Sequence, residues 1–457
     1  MLICSVLLTT GCALSPYSNF GSTLESIDVQ TGYRASSILL RRPDDGMLVI
    51  VSFSGGGMRA SAMAYGVLEQ LAQEILPSHL RADKPTNGLQ AKSLIETVDV
   101  ISAVSGGSVP AAYYVLYGDQ MFEDFADRYL YRDIYSALRK RLLLSPQNWW
   151  RLTDKNFSRS DILAEFFDNK LFSNARYQDL DQSGKRPFLI VNATDIGAAT
   201  RFEFTQDEFD RVCLDLGDWS ISRAVTASSA VPALITPVTL RSRAGECGYR
   251  LPAWVQEVVS SSDHSSPRYQ LALSRMLRAD PNRYRHLHLV DGALSDNLGV
   301  GAILDALLDP EAGRMRQDVP QKLVVLMVNA GDSQAERIGS NAEPPGFFDM
   351  LRLMGTVPVD RYTAASKAAL REQLSNRLGH DRINSLYFIE VELSSLLGHP
   401  EWGYLATLPT SFTIERSQVD ALREAAGYLL RESPEYRRWL DDIQAPSLLP
   451  SVSGATR

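Results

Sequence analysis

The sequence predicts a three-layer α/β/α fold with a mostly parallel central sheet. Two near-continuous apolar segments, Met47–Phe53 and Val98–Val104, have the composition of strands that are buried on both faces. Each is followed by a glycine-rich turn and then by a segment whose apolar residues recur at helical spacing. Strands that alternate with helices in this way are typical of a parallel sheet that is covered by helices on both faces.

Each of these two strands ends at a turn built from small residues. The first is followed by Gly55-Gly56-Gly57 and by a helix over residues 58–76, which Pro77 ends. The second is followed by Ser105-Gly106-Gly107 and by a helix whose first turn contains Pro110, where the missing N–H costs nothing. Further strands are predicted at residues 187–195, 201–204, 287–291, 322–330 and 387–393, with helices between them that include 302–308 and 417–430.

The chain is predicted to contain one large domain over residues 46–445. Residues 13–45 are polar and turn-rich and indicate a tether, while residues 446–457 have the composition of a disordered tail. Residues 119–175 are rich in aromatic and basic side chains and predict a helical insertion. The 457 residues are 45% hydrophobic and 22% charged, as in ordinary globular proteins. A formal charge of −8 disfavours phosphate binding, so no nucleic-acid partner is expected.

Residues 1–12 resemble the end of a bacterial lipoprotein signal. The apolar run at residues 1–10 is too short to span a bilayer, which needs ~20 residues, and Gly11 precedes a cysteine, Cys12. Thr9 and the lack of a basic residue ahead of the run depart from the signal pattern. Two expectations stay open. One is a lipid anchor at Cys12 in a bacterial cell envelope, at the outer membrane on its periplasmic side or surface. The other is a plain apolar N-terminus.

Lipidation at Cys12 would place the remaining domain cysteines, Cys213 and Cys247, in an oxidising compartment. They are 34 positions apart, and a disulfide between them would stabilise the fold by roughly 3–4 kcal/mol on the chain-entropy model. The alternative is two buried free thiols, which behave as small apolar side chains. The sequence favours neither.

Ser105 is the best candidate for a nucleophile because it lies where a buried strand turns sharply into a helix. This geometry exposes the side chain at the top of the sheet, next to a helix N-terminus whose partial positive charge favours an anion. Such a turn needs small neighbours, and Ala103, Gly106 and Gly107 supply them. The segment Ala-Val-Ser-Gly-Gly differs from the usual G-x-S-x-G elbow only at Ala103. The alternative is an ordinary strand–helix turn with Ser105 as N-cap.

The glycine triplet predicts an oxyanion hole. Gly55, Gly56 and Gly57 leave backbone N–H groups unobstructed by side chains, and the N–H of Gly106 is expected to contribute as well. Arg59 is expected either to hold the loop by binding carbonyl groups or to add positive potential to it.

A dinucleotide-binding function is a competing interpretation of the same loop. Gly55-x-Gly57-x-x-Ala60 matches the G-x-G-x-x-G/A fingerprint. That function also requires a strand ending in Asp or Glu ~20 residues further on. Residues 75–85 predict instead the end of a helix and a polar loop, in which Asp83 has no strand before it. A P-loop is excluded because no Gly-Lys-Ser/Thr follows.

Asp291 is the candidate base for Ser105. It closes the predicted strand 287–291 and opens an Asp-Gly-Ala turn, in which Gly292 lets the chain turn away without crowding. At the carboxyl end of its strand it is expected on the same rim of the sheet as Ser105, where open α/β sheets bind ligands. A carboxyl group with a pKa of ~3.9 is a weak base, and a dry pocket would raise the pKa toward a useful value.

These three motifs, taken in order, resemble the patatin-like phospholipase family. Its marks are a Gly-Gly-Gly-x-Arg/Lys loop, here residues 55–59, a serine elbow at Ser105, and an Asp-Gly-Gly/Ala box, here Asp291-Gly292-Ala293. Residues 192–195 (Asn-Ala-Thr-Asp) and 227–232 (Ala-Ser-Ser-Ala-Val-Pro) are also similar to segments of that family. The resemblance covers roughly residues 46–305.

The resemblance implies a patatin-like fold and a serine acyl hydrolase. It implies a Ser105–Asp291 dyad without histidine, calcium independence with no metal or cofactor, and cleavage of acyl esters in phospholipids or neutral lipids. Asp296 and Asn297, which follow the box, are assigned a structural role. The expected partners are a lipid or ester substrate and a membrane surface, on which Leu142-Leu143-Leu144 and Trp149-Trp150 of the insertion would rest. The alternative is that these insertion residues pack onto the core.

Two other functions stay open. In the first, the chain is an α/β-hydrolase with a Ser–Asp–His triad, for which His380 and His399 follow Asp291 in the required order. Neither histidine lies in a supporting motif, and Ser54 occupies the position at which that family's glycine loop usually has histidine. In the second, the chain is a lipid-binding envelope scaffold without turnover.

Overall fold

The computed structural model describes residues 21–39, 46–77, 93–154, 157–232, 234–261, 263–309, 321–331, 347–378, 384–408 and 410–444. The predicted signal segment with Cys12, His380 and the predicted tail lie outside the described residues. Within this part of the chain, no helix is long and apolar enough to cross a bilayer.

The centre of the molecule is an eight-stranded, mostly parallel sheet with strand order β5-β6-β3-β2-β1-β7-β8, in which β4 also pairs with β3. Every residue of β1, β2 and β3 is buried, so both faces of the sheet centre are covered. The predicted α/β/α class is therefore confirmed. The strands are β1 Met47–Phe53, β2 Val98–Val104, β3 Phe188–Asp195, β4 Thr200–Glu203, β5 Val238–Arg241, β6 His286–Asp291, β7 Lys322–Asn329 and β8 Leu386–Glu392.

The predicted strands match the observed ones within one residue at each end, whereas β5 was not predicted. β5 has only four residues, Val-Thr-Leu-Arg, and its burial comes from pairing with β6 rather than from a long apolar run. Local composition carries little signal for so short an edge strand.

The direction of β6 departs from the expected arrangement. It runs antiparallel to β3. A parallel direction therefore cannot explain why its carboxyl end lies at the same edge of the sheet as Ser105. Instead β6 overlaps only the last three residues of β3, and its final residue Asp291 pairs with Ala193. The neighbouring Asn192 pairs with Val104, the residue before Ser105. Asp291 therefore reaches the same rim because the overlap of the two strands is so short.

Helices flank the sheet throughout the chain. The helix that follows β1, Gly57–Gln73, packs along the long helix Arg416–Glu432 near the C-terminus. The helices are α1 Ala35–Leu39, α2 Gly57–Gln73, α3 Ser108–Tyr117, α4 Met121–Phe125, α5 Ile134–Leu143, α6 Pro146–Arg151, α7 Arg159–Phe167, α8 Tyr177–Ser183, α9 Gln206–Asp210, α10 Ile221–Ser228, α11 Ala253–Val259, α12 Pro267–Arg278, α13 Ala293–Asp296, α14 Gly301–Leu308, α15 Phe347–Leu378, α16 Arg416–Glu432 and α17 Pro434–Gln444.

The region predicted as a helical insertion is largely helical. Between α3 and β3 it contains α4 to α7 together with two short π-helical turns at residues 126–130 and 168–172. Two of its helices begin at side-chain caps: Asp133 accepts a hydrogen bond from the N–H of Ser136, and Ser145 accepts one from the N–H of Asn148. Two of the short helices of the insertion therefore have capped N-termini.

The predicted tether is wrong for residues 21–39, which pack on the domain. Tyr33 is buried, and its hydroxyl accepts a hydrogen bond from the N–H of Leu189 in β3. Arg34 is also buried and forms ion pairs with Asp207 and Asp210. Composition suggested a tether because these residues are mostly polar, and their burial depends on partners 156 to 176 positions away.

Cys213 and Cys247 are joined by a disulfide, with Cα atoms 5.5 Å apart. Both cysteines are buried. Of the two alternatives that the sequence left open, the structure has the paired one. The bond closes the loop that contains β5.

We predict that replacing both Cys213 and Cys247 by serine lowers the free energy of unfolding by roughly 2–4 kcal/mol, because the unfolded chain regains the entropy of the closed loop. Urea denaturation with and without a reductant measures this. The reductant should destabilise the wild type and leave the double variant unchanged. Equal unfolding midpoints for wild type and double variant, each with and without reductant, would contradict the prediction. So would peptide mass mapping that finds no Cys213–Cys247 linked peptides.

Candidate active site

Ser105 occupies a strained elbow between β2 and α3. Its φ is +48°, a left-handed conformation that residues other than glycine rarely adopt, and it is 6% exposed. A side chain at the next residue is impossible, because a Cβ on Gly106 would lie 2.0 Å from the carbonyl oxygen of Gly57. The elbow therefore brings the backbone of the serine turn against the glycine loop.

Asp291 lies beside Ser105. The Ser105 hydroxyl donates a hydrogen bond of 2.7 Å to Asp291 Oδ2, and Asp291 Oδ1 accepts one of 2.9 Å from the N–H of Ala293. Burial raises the pKa of Asp291 to about 6, and these two hydrogen bonds oppose the rise. The carboxyl group is thus a much better proton acceptor than a solvated aspartate.

Residues 228–230 hold the backbone of Asp291 and Gly292 in place. The N–H of Asp291 donates to the carbonyl of Ala230 at 3.0 Å, and the N–H of Gly292 donates to the carbonyl of Ser228 at 3.1 Å. Gly292 also passes close to β3, since a Cβ on it would lie 2.3 Å from the Asn192 carbonyl oxygen. Gly292 is therefore needed for this close approach.

The side chain of Ser228 connects the elbow to β3. Its hydroxyl oxygen accepts a 2.7 Å hydrogen bond from the N–H of Ser105, and the hydroxyl donates a 2.6 Å bond to the carbonyl of Asn192. Ser228 is fully buried at the end of α10. The resemblance of residues 227–232 to the family points to this segment in the sequence, but it gives Ser228 no role.

The glycine loop differs in one respect from the expected oxyanion hole. The N–H of Gly55 donates to the carbonyl of Asn297 at 3.0 Å, so Gly55 is not available as an oxyanion donor. The N–H groups of Gly56, Gly57 and Gly106 have no acceptor among the described residues. The expectation of Gly55 as a donor is wrong because its acceptor, Asn297, comes from a distant part of the chain.

A segment near the C-terminus supports the same loop. The N–H of Met58 donates to the carbonyl of Ser411 at 2.8 Å. Arg59 is buried and donates to the carbonyl of Leu408 and, at 2.8 Å, to the hydroxyl of Thr410. Arg59 thus binds a carbonyl group, the first of the two roles expected for it, but its acceptors lie outside the glycine loop. The amino-acid sequence does not indicate that Leu408, Thr410 and Ser411 support the glycine loop.

Asp296 stabilises the chain after the Asp-Gly box. Its carboxylate accepts hydrogen bonds from the N–H groups of Gly299, at 3.0 Å, and Gly301, at 2.6 Å, and it lies 3.7 Å from Arg201. These contacts bend the chain back from α13 toward α14. Asp296 thus has no contact with Ser105 and serves the turn that carries Asn297.

His399, the one candidate histidine of the alternative Ser–Asp–His triad among the described residues, lies apart from Ser105 and Asp291. His399 accepts hydrogen bonds at Nδ1 from the N–H groups of Glu401 and Trp402, and its ring stacks on the Trp402 indole. Ser105 contacts Asp291 directly, with no imidazole between them. Among the described residues, no three His, Cys, Asp or Glu side chains gather as they would around a metal ion.

A sequence profile described as patatin-like phospholipase matches residues 51–304, more than half of the chain. No curated protein matches the chain significantly in sequence. Among solved structures, human GIVD cytosolic phospholipase A2 is similar, with a TM-score of 0.45 and 13% identity, over 93% of this chain and 67% of that one. The same human enzyme in complex with methyl gamma-linolenyl fluorophosphonate has a TM-score of 0.38 and 13% identity, over 89% and 60%.

We predict that Ser228→Ala lowers kcat at least ~tenfold, since the buried N–H of Ser105 loses its acceptor and a change of 1.4 kcal/mol is tenfold in rate. KM for a soluble ester should change little, because the hydroxyl acts through the elbow. Ser229→Ala is the matched control: it removes a neighbouring buried hydroxyl that has no hydrogen-bond partner among the described residues. Similar kcat values for the two variants would exclude Ser228 as a positioning residue.

Proposed function

The chain belongs to the patatin-like phospholipase family, and we propose that it hydrolyses lipid acyl esters with Ser105 as nucleophile and Asp291 as its base. The observation that carries this proposal is the 2.7 Å hydrogen bond from Ser105 Oγ to a buried carboxylate whose pKa is raised to about 6. A hydroxyl that already points its proton at a base of this strength is prepared for attack on a carbonyl carbon.

In the first step Ser105 Oγ attacks the ester carbonyl while its proton moves to Asp291 Oδ2. The negative charge that develops on the carbonyl oxygen is stabilised by the N–H groups of Gly56, Gly57 and Gly106, which need no reorganisation to donate. Asp291 then returns the proton to the leaving alcohol as the tetrahedral intermediate collapses. The products of this step are the free alcohol and an acyl-serine.

In the second step water replaces the alcohol. Asp291, again ionised, takes a proton from the water as it attacks the acyl carbonyl, and the same N–H groups bind the second oxyanion. The bond to Ser105 Oγ breaks, the proton returns to that oxygen, and the fatty acid leaves. One carboxylate therefore serves both half-reactions, because it is close to Ser105 and stays unblocked by any other side-chain donor in the described structure.

Exposed apolar residues close in sequence to the dyad and to its supporting residues favour a substrate with an acyl chain. Leu294 follows Asp291 by three positions, and Leu234 follows Ala230 by four, and both side chains are exposed. Exposed leucines next in sequence to the residues that hold the dyad offer apolar surface to an acyl chain. We propose phospholipase A or lysophospholipase activity as the specific reaction.

We predict that Ser105→Ala and Asp291→Asn each reduce hydrolysis of a p-nitrophenyl ester and of a phospholipid by at least ~10³-fold, since one removes the nucleophile and the other its base. Circular dichroism checks that both variants fold. A fluorophosphonate probe should label the wild type at Ser105, as shown by peptide mass mapping, and leave Ser105→Ala unlabelled.

His380→Ala and His399→Ala should retain wild-type turnover. If either replacement abolishes activity while Asp291→Asn retains it, the Ser–Asp–His triad replaces the dyad. A folded wild type that cleaves no ester and takes no phosphonate label would instead favour a non-catalytic lipid-binding scaffold.

We predict that kcat/KM rises about tenfold per pH unit up to pH about 6 and then levels off, because the base must be ionised. Stability should vary in the opposite sense. The folded state holds the Asp291 proton more tightly than the unfolded chain, so this contribution is present below pH ~4 and is lost as the pH rises through about 6. Asp291→Asn should remove that dependence, and a rate that falls on raising the pH through this range would contradict the assignment.

A further inference from the structure

Helices α5 and α6 form an exposed apolar hairpin, residues 134–151, which we call the tip. Trp150 is 79% exposed and Leu144 is 73% exposed, and Tyr135, Leu143 and Trp149 are also exposed. Soluble proteins scatter single apolar residues over their surface but rarely expose several large ones together. The tip is therefore a surface that a partner would cover.

The charge of the tip differs from that of the whole chain. Residues 134–151 contain four basic and no acidic residues, whereas the chain has a formal charge of −8. Arg139 and Lys140 are exposed. Arg141 and Arg151 are used internally, the first over the ring of Phe166 and the second in an ion pair with Glu165. Two exposed cations thus lie beside the apolar residues, and they complement an anionic surface.

The tip is internally satisfied without a partner. The side chain of Asn148 donates to the carbonyl of Arg141 at 2.9 Å, and the indole N–H of Trp149 donates to the carbonyl of Leu142 at 2.8 Å. These two bonds tie α6 back onto α5. The apolar residues are consequently presented by a preformed hairpin, in which little order has to be gained on binding.

The base of the tip is connected to the glycine loop. The N–H of Tyr135 donates to Thr413 Oγ1 at 3.1 Å, and that hydroxyl donates to Asp133 at 3.2 Å. Two residues earlier, the carbonyl of Ser411 accepts the hydrogen bond from Met58, next to the glycine triplet. Residues 411–413 therefore join the base of the tip to the oxyanion loop.

We propose that the tip docks this protein on an anionic lipid surface. Trp and Leu enter the boundary between headgroups and acyl chains, while Arg139 and Lys140 bind headgroup phosphates. The basic, carboxylate-free composition favours a lipid surface over a protein partner, whose interface would be expected to present both donors and acceptors. The proposal rests on the lipid acyl hydrolase function above, and it identifies the physical form of the substrate as an aggregate.

The test is cosedimentation with phosphatidylcholine vesicles that contain or lack phosphatidylglycerol, in a Ser105→Ala background that leaves the lipid intact. Binding to the anionic vesicles should weaken at least ~fivefold in Trp150→Ala/Leu144→Ser, which removes apolar side chains that enter the lipid. It should weaken at least ~tenfold in Arg139→Glu/Lys140→Glu, which replaces two cations at an anionic surface by anions. Added salt should weaken binding of the parent and much less that of the charge variant.

Two matched variants control for surface change elsewhere. Val29→Ala/Ile75→Ser replaces apolar residues of similar exposure, and Arg283→Glu/Arg285→Glu makes the same charge change at another exposed basic pair. Both should bind vesicles like the parent. When the same four pairs of substitutions are made in a chain that retains Ser105, all four variants should hydrolyse a soluble p-nitrophenyl ester at the wild-type rate.

The two proposals fail separately. Wild type that cleaves the soluble ester but does not bind anionic vesicles overturns the docking surface and leaves the hydrolase intact. The docking proposal is equally overturned if the tip variants bind as tightly as their controls. Vesicle binding that depends on the tip, in a protein that cleaves no ester, supports docking and removes the hydrolase function.

Discussion

The hydrogen bond between Ser105 Oγ and Asp291 Oδ2 is the contact on which the rest of the site depends. It requires a serine at φ +48° and a carboxylate held 2.7 Å away, although neither is favourable alone. Ser228 answers both requirements, since its hydroxyl binds the N–H of Ser105 and its carbonyl binds the N–H of Gly292, next to Asp291. The elbow and the base are thereby held by one buried residue at the end of one helix.

Burial makes this pair reactive and also lowers the stability of the folded protein. A carboxyl group out of water loses its solvation, which raises its pKa to about 6 and makes it a base near neutral pH. The same burial makes the ionised folded state less stable than one with an uncharged residue in that position. The extensive hydrogen bonding of the surrounding backbone offsets that cost, as is common where proteins keep a strained or charged group for catalysis.

The support of the site extends beyond the region that matches the family profile. Residues 51–304 contain the serine, the aspartate and the glycines, but Leu408, Thr410 and Ser411 accept hydrogen bonds from Met58 and Arg59. The same segment reaches the base of the tip through Thr413. The C-terminal part of the chain thus connects the loop that would bind the oxyanion to the surface that would meet the lipid.

The sequence by itself determined the layers of the fold and the residues that meet at the site. Buried strands have runs of apolar residues, and sharp turns require glycine, so β1, β2 and the motifs at Gly55–Gly57, Ser105 and Asp291 are visible locally. Tertiary structure decided the antiparallel direction of β6 and the roles of Ser228 and Ser411. It also decided that the N–H of Gly55 binds the Asn297 carbonyl and is not free for an oxyanion. Each of these depends on a hydrogen bond between residues far apart in the chain, and a carbonyl or hydroxyl acceptor leaves no mark in local composition. The exposure of Trp150 was equally undecidable, because an aromatic residue on a short helix suits a core and a lipid surface alike.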